Sequence, residues 1–254
     1  MKVIGIDIGG SGIKGAPVDL RLGQLAGERN RVATPQPADV ASVAAVVAEV
    51  AAASGDADAI GVTFPGVVVG GVTRTAANLD PSWLDAPATA VLSEAVGRPV
   101  TVINDADAAG VAEMTFGSGR GCHGVALMVT LGTGIGSAVF AGGRLVPNTE
   151  LGHVLLHDMD AEDYASDRVR EAEDLDWPEW AARVGEYLAH VESLLWPDLI
   201  IIGGGVSKRA DKFLPLIKIR TPVVPATLQN HAGIIGAAMA ATTTPAAVGR
   251  PVSA

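Results

Sequence analysis

One stretch of this chain recurs in weakened form 122 positions later. Residues 3–19 (VIGIDIGGSGIKGAPVD) align with residues 125–141 (VALMVTLGTGIGSAVFA), and the identical pairs are Val3/Val125, Gly10/Gly132, Gly12/Gly134, Ile13/Ile135 and Ala16/Ala138. The identities cluster at a glycine turn between two apolar strands, where Ser11 over Thr133 also keeps a hydroxyl. This clustering favours a real duplication. It predicts two similar lobes with a cleft between them.

Each copy is predicted to form a β-hairpin, after which strands and helices alternate. Pro17 argues against a helix directly after the first glycine turn. Asp39 is placed as a helix N-cap, and Pro87 and Gly97 frame a second helix. Further strands are predicted at 59–66, 100–105, 199–204 and 221–227, and further helices at 177–196 and 232–242. The alternation indicates an α/β fold.

The glycine-rich segment 116–124 (FGSGRGCHG) places a boundary between lobes near residues 110–122. We expect a small N-terminal lobe at 1–112 and a larger C-terminal lobe at 113–242, whose last helix could pack back on the first lobe. Residues 243–254 show no periodic apolar pattern, so a flexible tail is expected there.

Composition excludes several classes of function. The 254 residues are 48% hydrophobic, enough for a packed core, and the single cysteine, Cys122, excludes an intrachain disulfide and a multi-cysteine zinc site. Asp7 interrupts the first apolar run, which also lacks a basic flank. Neither a signal peptide nor a membrane span is therefore predicted, and the cytoplasm is the expected compartment. A formal charge of −10 makes nucleic acid an unlikely partner.

Three glycine turns follow apolar strands. The first lacks both the helix that a dinucleotide-binding fingerprint needs and the GK[ST] triplet of a phosphate loop. Exposed backbone N–H groups, a hydroxyl and a lysine can still bind phosphate oxygens, although the glycines could simply form tight hairpins. Three such turns together favour phosphate binding, and the third is expected to open a helix. The candidates are Gly9, Gly10, Ser11, Gly12 and Lys14, then Thr130, Gly132, Thr133 and Gly134, and finally Gly203, Gly204 and Gly205.

Two carboxylates end predicted strands beside these turns. Asp105 follows the strand at 100–103, at the edge where ligands of α/β sheets usually bind. It could be a general base or a helix N-cap, and we assign the cap to Asp107. Asp7 ends the first strand, where a carboxylate needs a cation or hydrogen-bond donors, and a magnesium site through water fits that need.

Six motifs resemble, in order and spacing, the ROK family of sugar kinases: DIGGSGIKG at 7–15, PG at 65–66, ND at 104–105, TLGTGIG at 130–136, ELGH at 150–153 and IIGGGVS at 201–207. The resemblance covers about residues 2–240. It implies a two-lobed actin-like or hexokinase-like ATPase fold with duplicated ribonuclease-H-like lobes and a central cleft. Within the family the chain is most similar to actinobacterial kinases that phosphorylate the 6-hydroxyl of glucose with inorganic polyphosphate, with or without ATP.

The resemblance also implies residue roles and a homodimer. Asp105 would be the catalytic base, and Asp7 would serve the Mg²⁺ of the phosphoryl donor. Taken alone, Asn78 could be a turn residue and His153 a hydrogen-bonded core histidine. The implied sugar contacts are Gly66, Asn78, Asn104, Asp105, Glu150 and His153.

The chain departs from the family after the ELGH motif. Most members carry a cysteine cluster there that binds zinc together with the histidine of the motif, whereas residues 157–175 (HDMDAEDYASDRVREAEDL) contain no cysteine. Zinc is therefore not expected, and His153 is free to face the sugar. Glu171 is the candidate for a family glutamate that follows the cysteines.

Alternative functions are an ATP-dependent kinase for another hexose, because pocket shape decides the acceptor, and a non-catalytic sugar-sensing ROK protein. Repressors of the family carry an amino-terminal helix-turn-helix, for which a first phosphate strand beginning at Val3 leaves no room.

A long polyphosphate donor would need locally concentrated positive charge on so acidic a chain. Five basic residues fall within the fourteen positions 207–220, where Asp211 is the only acid. A solvated helix face is the alternative explanation. The residues are Lys208, Arg209 and Lys212, which we assign to a polyphosphate track, followed by Lys218 and Arg220.

Overall fold

The computed structural model describes residues 1–76 and 79–243, in which two sheets form the centres of two lobes. The first sheet has the strand order β3-β2-β1-β5-β8, and β4 also pairs with β2. The elements of this half are β1 (Val3–Gly9), β2 (Gly12–Asp19), β3 (Gln24–Leu25), β4 (Asn30–Val32), α1 (Val40–Ala53), β5 (Ala59–Phe64), the hairpin β6 (Val68–Val69) and β7 (Val72–Thr73), α2 (Ala88–Val96), β8 (Val100–Asn104) and α3 (Asp105–Phe116).

The second sheet has the strand order β11-β10-β9-β14-β15. Its half of the chain consists of β9 (Val125–Leu131), β10 (Ile135–Ala141), β11 (Arg144–Val146), the hairpin β12 (Leu155–Leu156) and β13 (Met159–Asp160), α4 (Ala161–Ala165), α5 (Asp167–Ala172), α6 (Trp177–Leu195), β14 (Leu199–Gly203), α7 (Ala210–Phe213), β15 (Val223–Pro225) and α8 (Ala232–Ala240).

The duplication predicted from the sequence is confirmed by the topology. In each sheet an antiparallel hairpin, β1–β2 or β9–β10, is followed by two strands parallel to its first member. The register differs by one residue, because Ile8 pairs with Ile13 in the first hairpin and Leu131 with Ile135 in the second. Two residues therefore separate the paired Gly9 and Gly12 in the first turn, whereas three separate Leu131 from Ile135.

Local signals placed most helices correctly. Asp39 caps α1 by accepting a hydrogen bond from the Ser42 N–H at 2.8 Å, and Gly97 ends α2 in the left-handed conformation. The third glycine turn opens a helix as predicted, but this helix is a 3-10 helix, Gly205–Arg209, which continues directly into α7.

Helix α8 belongs to the core between the lobes, where it packs against β1, β5 and α3. The approach is so close that a Cβ at Gly5 would collide with the Ile234 carbonyl, and one at Gly61 with the Ala237 carbonyl. Helix α3 continues through residue 112, and the lobe limits 1–112 and 113–242 stay a prediction. Apart from Thr243, the expected tail lies outside the described residues.

Candidate active site

A cavity of about 780 Å³ lies where the carboxyl ends of β1, β5, β8, β9 and β14 face one another across the two lobes. All three glycine turns border it. Gly12, Lys208, Arg209 and Lys212 are not among its lining residues, and Asn78 falls outside the described residues. The sequence-predicted residues that line it are Asp7, Gly9, Gly10, Ser11, Lys14, Gly66, Asn104, Asp105, Thr130, Gly132, Thr133, Gly134, Glu150, His153, Gly203, Gly204 and Gly205.

Asp105 is the first residue of α3 and faces the cavity from the carboxyl end of β8. One of its carboxylate oxygens accepts a hydrogen bond from the Ala106 N–H at 2.8 Å. Burial, followed by the negative charges of Asp7 and Glu150, raises the pKa of Asp105 to about 7. A carboxyl group with this pKa exchanges protons readily at neutral pH, as a general base requires.

The N-cap of α3 is Asn104, so the assignment of the cap to Asp107 was wrong. The Asn104 side-chain oxygen accepts a hydrogen bond from the Asp107 N–H at 2.9 Å, and the amide nitrogen donates to the Gly66 carbonyl at 3.0 Å. The same nitrogen lies 3.5 Å from a carboxylate oxygen of Glu150. Asn104 therefore joins α3, the Pro-Gly turn and the ELGH segment at the floor of the cavity.

Asp107 is buried and holds a loop of the other lobe. Its Oδ2 accepts a hydrogen bond from the Asn148 N–H at 2.8 Å, whereas its Oδ1 has no partner among the described residues. Burial raises the pKa of Asp107 to about 6. The side chain of Asn148, a left-handed residue with φ of 57°, then accepts from the Val68 N–H and donates to the Val68 carbonyl, both at 2.9 Å.

Asp7 lines the cavity near the carboxyl end of β1. Its Oδ1 accepts a hydrogen bond from the Thr63 hydroxyl at 2.9 Å, and its Oδ2 lies 3.6 Å from the Lys14 ammonium. The Asp7 carboxylate therefore has both a hydrogen-bond donor and a cation beside it.

Glu150 and His153 line the cavity from the ELGH segment. The His153 ring contacts Asp160 at 2.8 Å through Nδ1 and Glu150 at 3.9 Å through Nε2. The Asp160 hydrogen bond raises the pKa of His153, and burial raises the pKa of Glu150. His153 is therefore a half-exposed cavity residue and not a core histidine.

Glu162 lines the cavity and Glu171 does not. Glu171 forms an exposed ion pair with Arg170 on α5, whereas one Glu162 carboxylate oxygen accepts a hydrogen bond from the Ile135 N–H at 3.1 Å. Glu162 stands in the first turn of a five-residue helix, a position common for acidic residues with no site role, so the sequence held no signal that singled it out.

The loop 226–231 also lines the cavity through Gln229 and Asn230, which sequence reasoning missed. The fully buried carboxylate of Glu113 anchors this loop. It accepts hydrogen bonds from the backbone N–H groups of Thr227 at 3.2 Å and Leu228 at 2.7 Å.

The basic residues after the third turn differ in their surroundings, and the polyphosphate track of Lys208, Arg209 and Lys212 stays a prediction. The Lys212 ammonium lies 5.5 Å from the centre of the Trp177 ring. Arg220 covers Trp196 at 4.8 Å and faces Glu192, and Lys218 donates to the Pro215 carbonyl. Lys208 and Arg209 end the short 3-10 helix beside the cavity.

The comparison with known families identifies the class. The ROK family profile matches residues 3–165, and the chain belongs to that family. Among its relatives is the polyphosphate glucokinase of Mycobacterium tuberculosis, 52% identical over 237 residues that cover 93% of this chain and 89% of the relative.

Two solved structures share the two-lobed fold. An inorganic polyphosphate/ATP-glucomannokinase from Arthrobacter sp. strain KM superimposes with a TM-score of 0.91 at 54% identity, covering 94% of this chain and 97% of that one. A ROK glucokinase from Streptomyces griseus, in complex with glucose and AMPPNP, gives a TM-score of 0.82 at 26% identity, covering 95% and 99%. The fold class expected from the sequence is thereby confirmed.

Residues 1–76 and 79–243 contain neither a membrane-spanning helix nor a ready-made metal site. No helix there is long and apolar enough to cross a membrane. No group of three or more His, Cys, Asp or Glu side chains is arranged to hold a metal ion by itself.

Proposed function

We propose that this chain is a kinase that transfers a phosphoryl group from inorganic polyphosphate or ATP to the 6-hydroxyl of glucose. The observation that carries the proposal is Asp105, a carboxylate with a pKa of about 7, between the glycine turns and the polar groups of Asn104, Glu150 and His153. The relatives named for polyphosphate and glucose, at 52% and 54% identity, support the same donor and acceptor.

In the proposed reaction Asp105 accepts the proton of the 6-hydroxyl while the hydroxyl oxygen attacks the terminal phosphorus. The bond from that phosphorus to the bridging oxygen of the donor breaks, which releases ADP or a polyphosphate shorter by one unit. Phosphoryl transfer depends mainly on positioning and charge stabilisation. Asn104, Glu150 and His153 orient the sugar, with Glu162 as a further carboxylate, whereas the glycine N–H groups and Lys14 hold the phosphate oxygens.

The residues fit the Mg²⁺ that the family resemblance implies. Mg²⁺ usually binds one or two carboxylates together with substrate phosphates and waters, so it needs no cluster of three side chains. Asp7 would hold the ion, and Asp105, which also lines the cavity, would stay free to act as the base. The ion would neutralise charge on the phosphates. We expect EDTA to abolish activity and Mg²⁺ alone to restore it, and a need for zinc would contradict this assignment.

Mannose is a second candidate acceptor, because the Arthrobacter relative is named a glucomannokinase. We also propose a cytoplasmic homodimer, which rests on the family resemblance. The apolar side chains of Leu155 and Met159, exposed on the hairpin β12–β13, are available for such a contact. Sedimentation velocity would decide the oligomeric state.

The decisive experiment measures glucose 6-phosphate formation with each donor, and glucose binding by calorimetry. Turnover with both donors, lost in Asp105→Asn while glucose still binds, is the expected result. Glucose binding without turnover by any donor would identify a sugar sensor instead. Turnover of mannose above that of glucose would change the principal acceptor.

A further inference from the structure

Arg31 lies against the first glycine turn from the edge of the sheet. Its Nη2 donates a hydrogen bond to the Ser11 carbonyl at 2.9 Å. A Cβ at Gly12 would come within 2.8 Å of the Arg31 guanidinium nitrogens. Gly12 therefore makes room for the Arg31 guanidinium beside the turn, which explains why Gly12 lies in the motif but not in the cavity wall.

Lys208 and His231 approach the border of the cavity from the other lobe. The 3-10 helix 205–209, which ends with Lys208 and Arg209, packs against the short helix Gln229–His231. Gly205 and Asn230, from these two helices, line the cavity. Lys208 and His231 are both exposed at its border.

Arg29 belongs to the first lobe, where it directly precedes β4 and lies two residues before Arg31. Lys208 and His231 belong to the second lobe. Burial, and then the positive charges of Arg29 and Lys208, lower the pKa of His231. The two cations from different lobes therefore lie close enough to His231 for both charges to act on it.

No carboxylate neutralises this group. Within the described residues Arg29, Arg31 and Lys208 form no ion pair with Asp or Glu, whereas Arg168, Arg170 and Arg183 each pair with one or more. On a chain with a net charge of −10, cations that repel one another at a cavity mouth are stabilised by a bound anion.

We propose that Arg29, Arg31 and Lys208, with His231 as an uncharged N–H donor, form a donor rim that binds the phosphates of long inorganic polyphosphate beyond those held by the glycine turns. The proposal rests on the proposed function and extends its donor site. Arginine donors match phosphate oxygens in pairs, and a linear polyanion can pass between the two lobes along the rim. ATP and tripolyphosphate are too short to need it.

The donor rim differs from the track expected from sequence alone. Lys208 belongs to both, but Lys212 packs over Trp177 in the second lobe, and Arg29 and Arg31 come from a segment almost 180 residues earlier. The rim therefore predicts that charge reversal in the first lobe weakens polyphosphate binding.

The test compares Arg29→Glu/Lys208→Glu with Lys2→Glu/Arg144→Glu, which carries the same net charge. Lys2 and Arg144 are exposed at the ends of the two hairpins opposite the glycine turns, so they serve as a matched control. Initial rates are measured with long polyphosphate, tripolyphosphate and ATP at two salt concentrations. A fluorescent long polyphosphate measures binding without turnover.

The rim variant should raise KM and Kd for long polyphosphate at least about tenfold and flatten their salt dependence. KM values for ATP, tripolyphosphate and glucose should stay within about twofold. Arg29→Lys/Lys208→Arg keeps both positive charges but exchanges the paired donors, so it should bind long polyphosphate more tightly than the Glu variant does. Equal losses in the control variant, equal losses with ATP, or no loss at all would each overturn the rim. If the parent protein showed no polyphosphate-supported turnover, the proposed donor would fail, and the binding measurement would still decide whether the rim exists.

Discussion

The two glycine hairpins share a topology but differ in what surrounds their turns. In the first, Gly10 and Ser11 are flanked by the cations of Lys14 and Arg31. The second turn is one residue longer, and Arg168 fixes two of its carbonyls. The Arg168 backbone N–H donates to the Gly132 carbonyl, and the Arg168 Nε donates to the Thr133 carbonyl at 2.9 Å.

This difference shows how a duplicated unit acquires two roles. The carbonyls of the first turn are held from within the first lobe, because the Thr34 hydroxyl donates to the Gly9 carbonyl and Arg31 donates to the Ser11 carbonyl. The second turn is held by α4 and α5, segments with no counterpart in the first lobe, and these bring Glu162 and the His153 partner Asp160 to the acceptor side. The segment that follows the second hairpin, and not the hairpins themselves, distinguishes the surroundings of the two turns.

The largest expected effect is at Asp105, which both hairpins face. Asp105→Asn preserves shape but cannot accept a proton, so kcat should fall by at least about a hundredfold with little change in glucose Kd. Asp56→Asn, at a side chain that is 94% exposed, is the control. Near-normal kcat in Asp105→Asn would show that Asp105 is not the base.

The pH dependence should report the same carboxyl. The base must be ionised, and its pKa is raised to about 7, so kcat/KM for glucose should fall about tenfold per pH unit below that value and level off above it. Rates between pH 5 and 9, at fixed ionic strength, test this. An acid limb centred near pH 4 would mean that burial, Asp7 and Glu150 do not perturb Asp105 in the working enzyme.

Alanine substitutions in the two turns should separate the effects of the side chains beside each turn, because alanine retains the N–H groups proposed to bind phosphate. A Cβ at Gly134 would displace the Glu162 carboxylate, whereas one at Gly12 would displace Arg31. We expect Gly134→Ala to raise the glucose KM about tenfold or less, and Gly12→Ala to raise mainly the KM for long polyphosphate. Melting temperatures identify any variant that is simply unfolded. Identical kinetic changes in both variants would contradict the division of roles.

The smallest effect is expected at the contact that joins the lobes. Asn148→Ala removes both hydrogen bonds to Val68, and Glu150 follows only two residues later. The glucose KM should rise by about threefold to tenfold with kcat less affected, since about 1 kcal/mol per hydrogen bond is lost. Asn148→Gly keeps the left-handed backbone without the amide. It should behave like Asn148→Ala if the amide matters, and like the parent if only the backbone does.

Much of the fold could be predicted because its signals are local. The hairpin glycines, the Asp39 cap and the Gly97 helix end depend on residues a few positions apart. The site was only partly predictable. The Asn148 contact with Val68 spans 80 residues, the Glu113 contact with Leu228 spans 115, and Glu162 reaches the cavity through the Ile135 backbone. Such contacts leave no spacing pattern that the sequence could reveal.

Helix α8 has a consequence for the order in which the chain acquires structure during synthesis. The sheet of the first lobe is covered on one face by residues 232–240, which leave the ribosome only after the whole second sheet has been translated. The amino-terminal lobe therefore cannot complete its core as an early, independent unit, in contrast to proteins whose domains fold one after another. The apolar face of the first sheet stays uncovered until α8 has been synthesised. Because α8 and the strands it covers are far apart in the sequence, docking of α8 is expected to be a slow, late step.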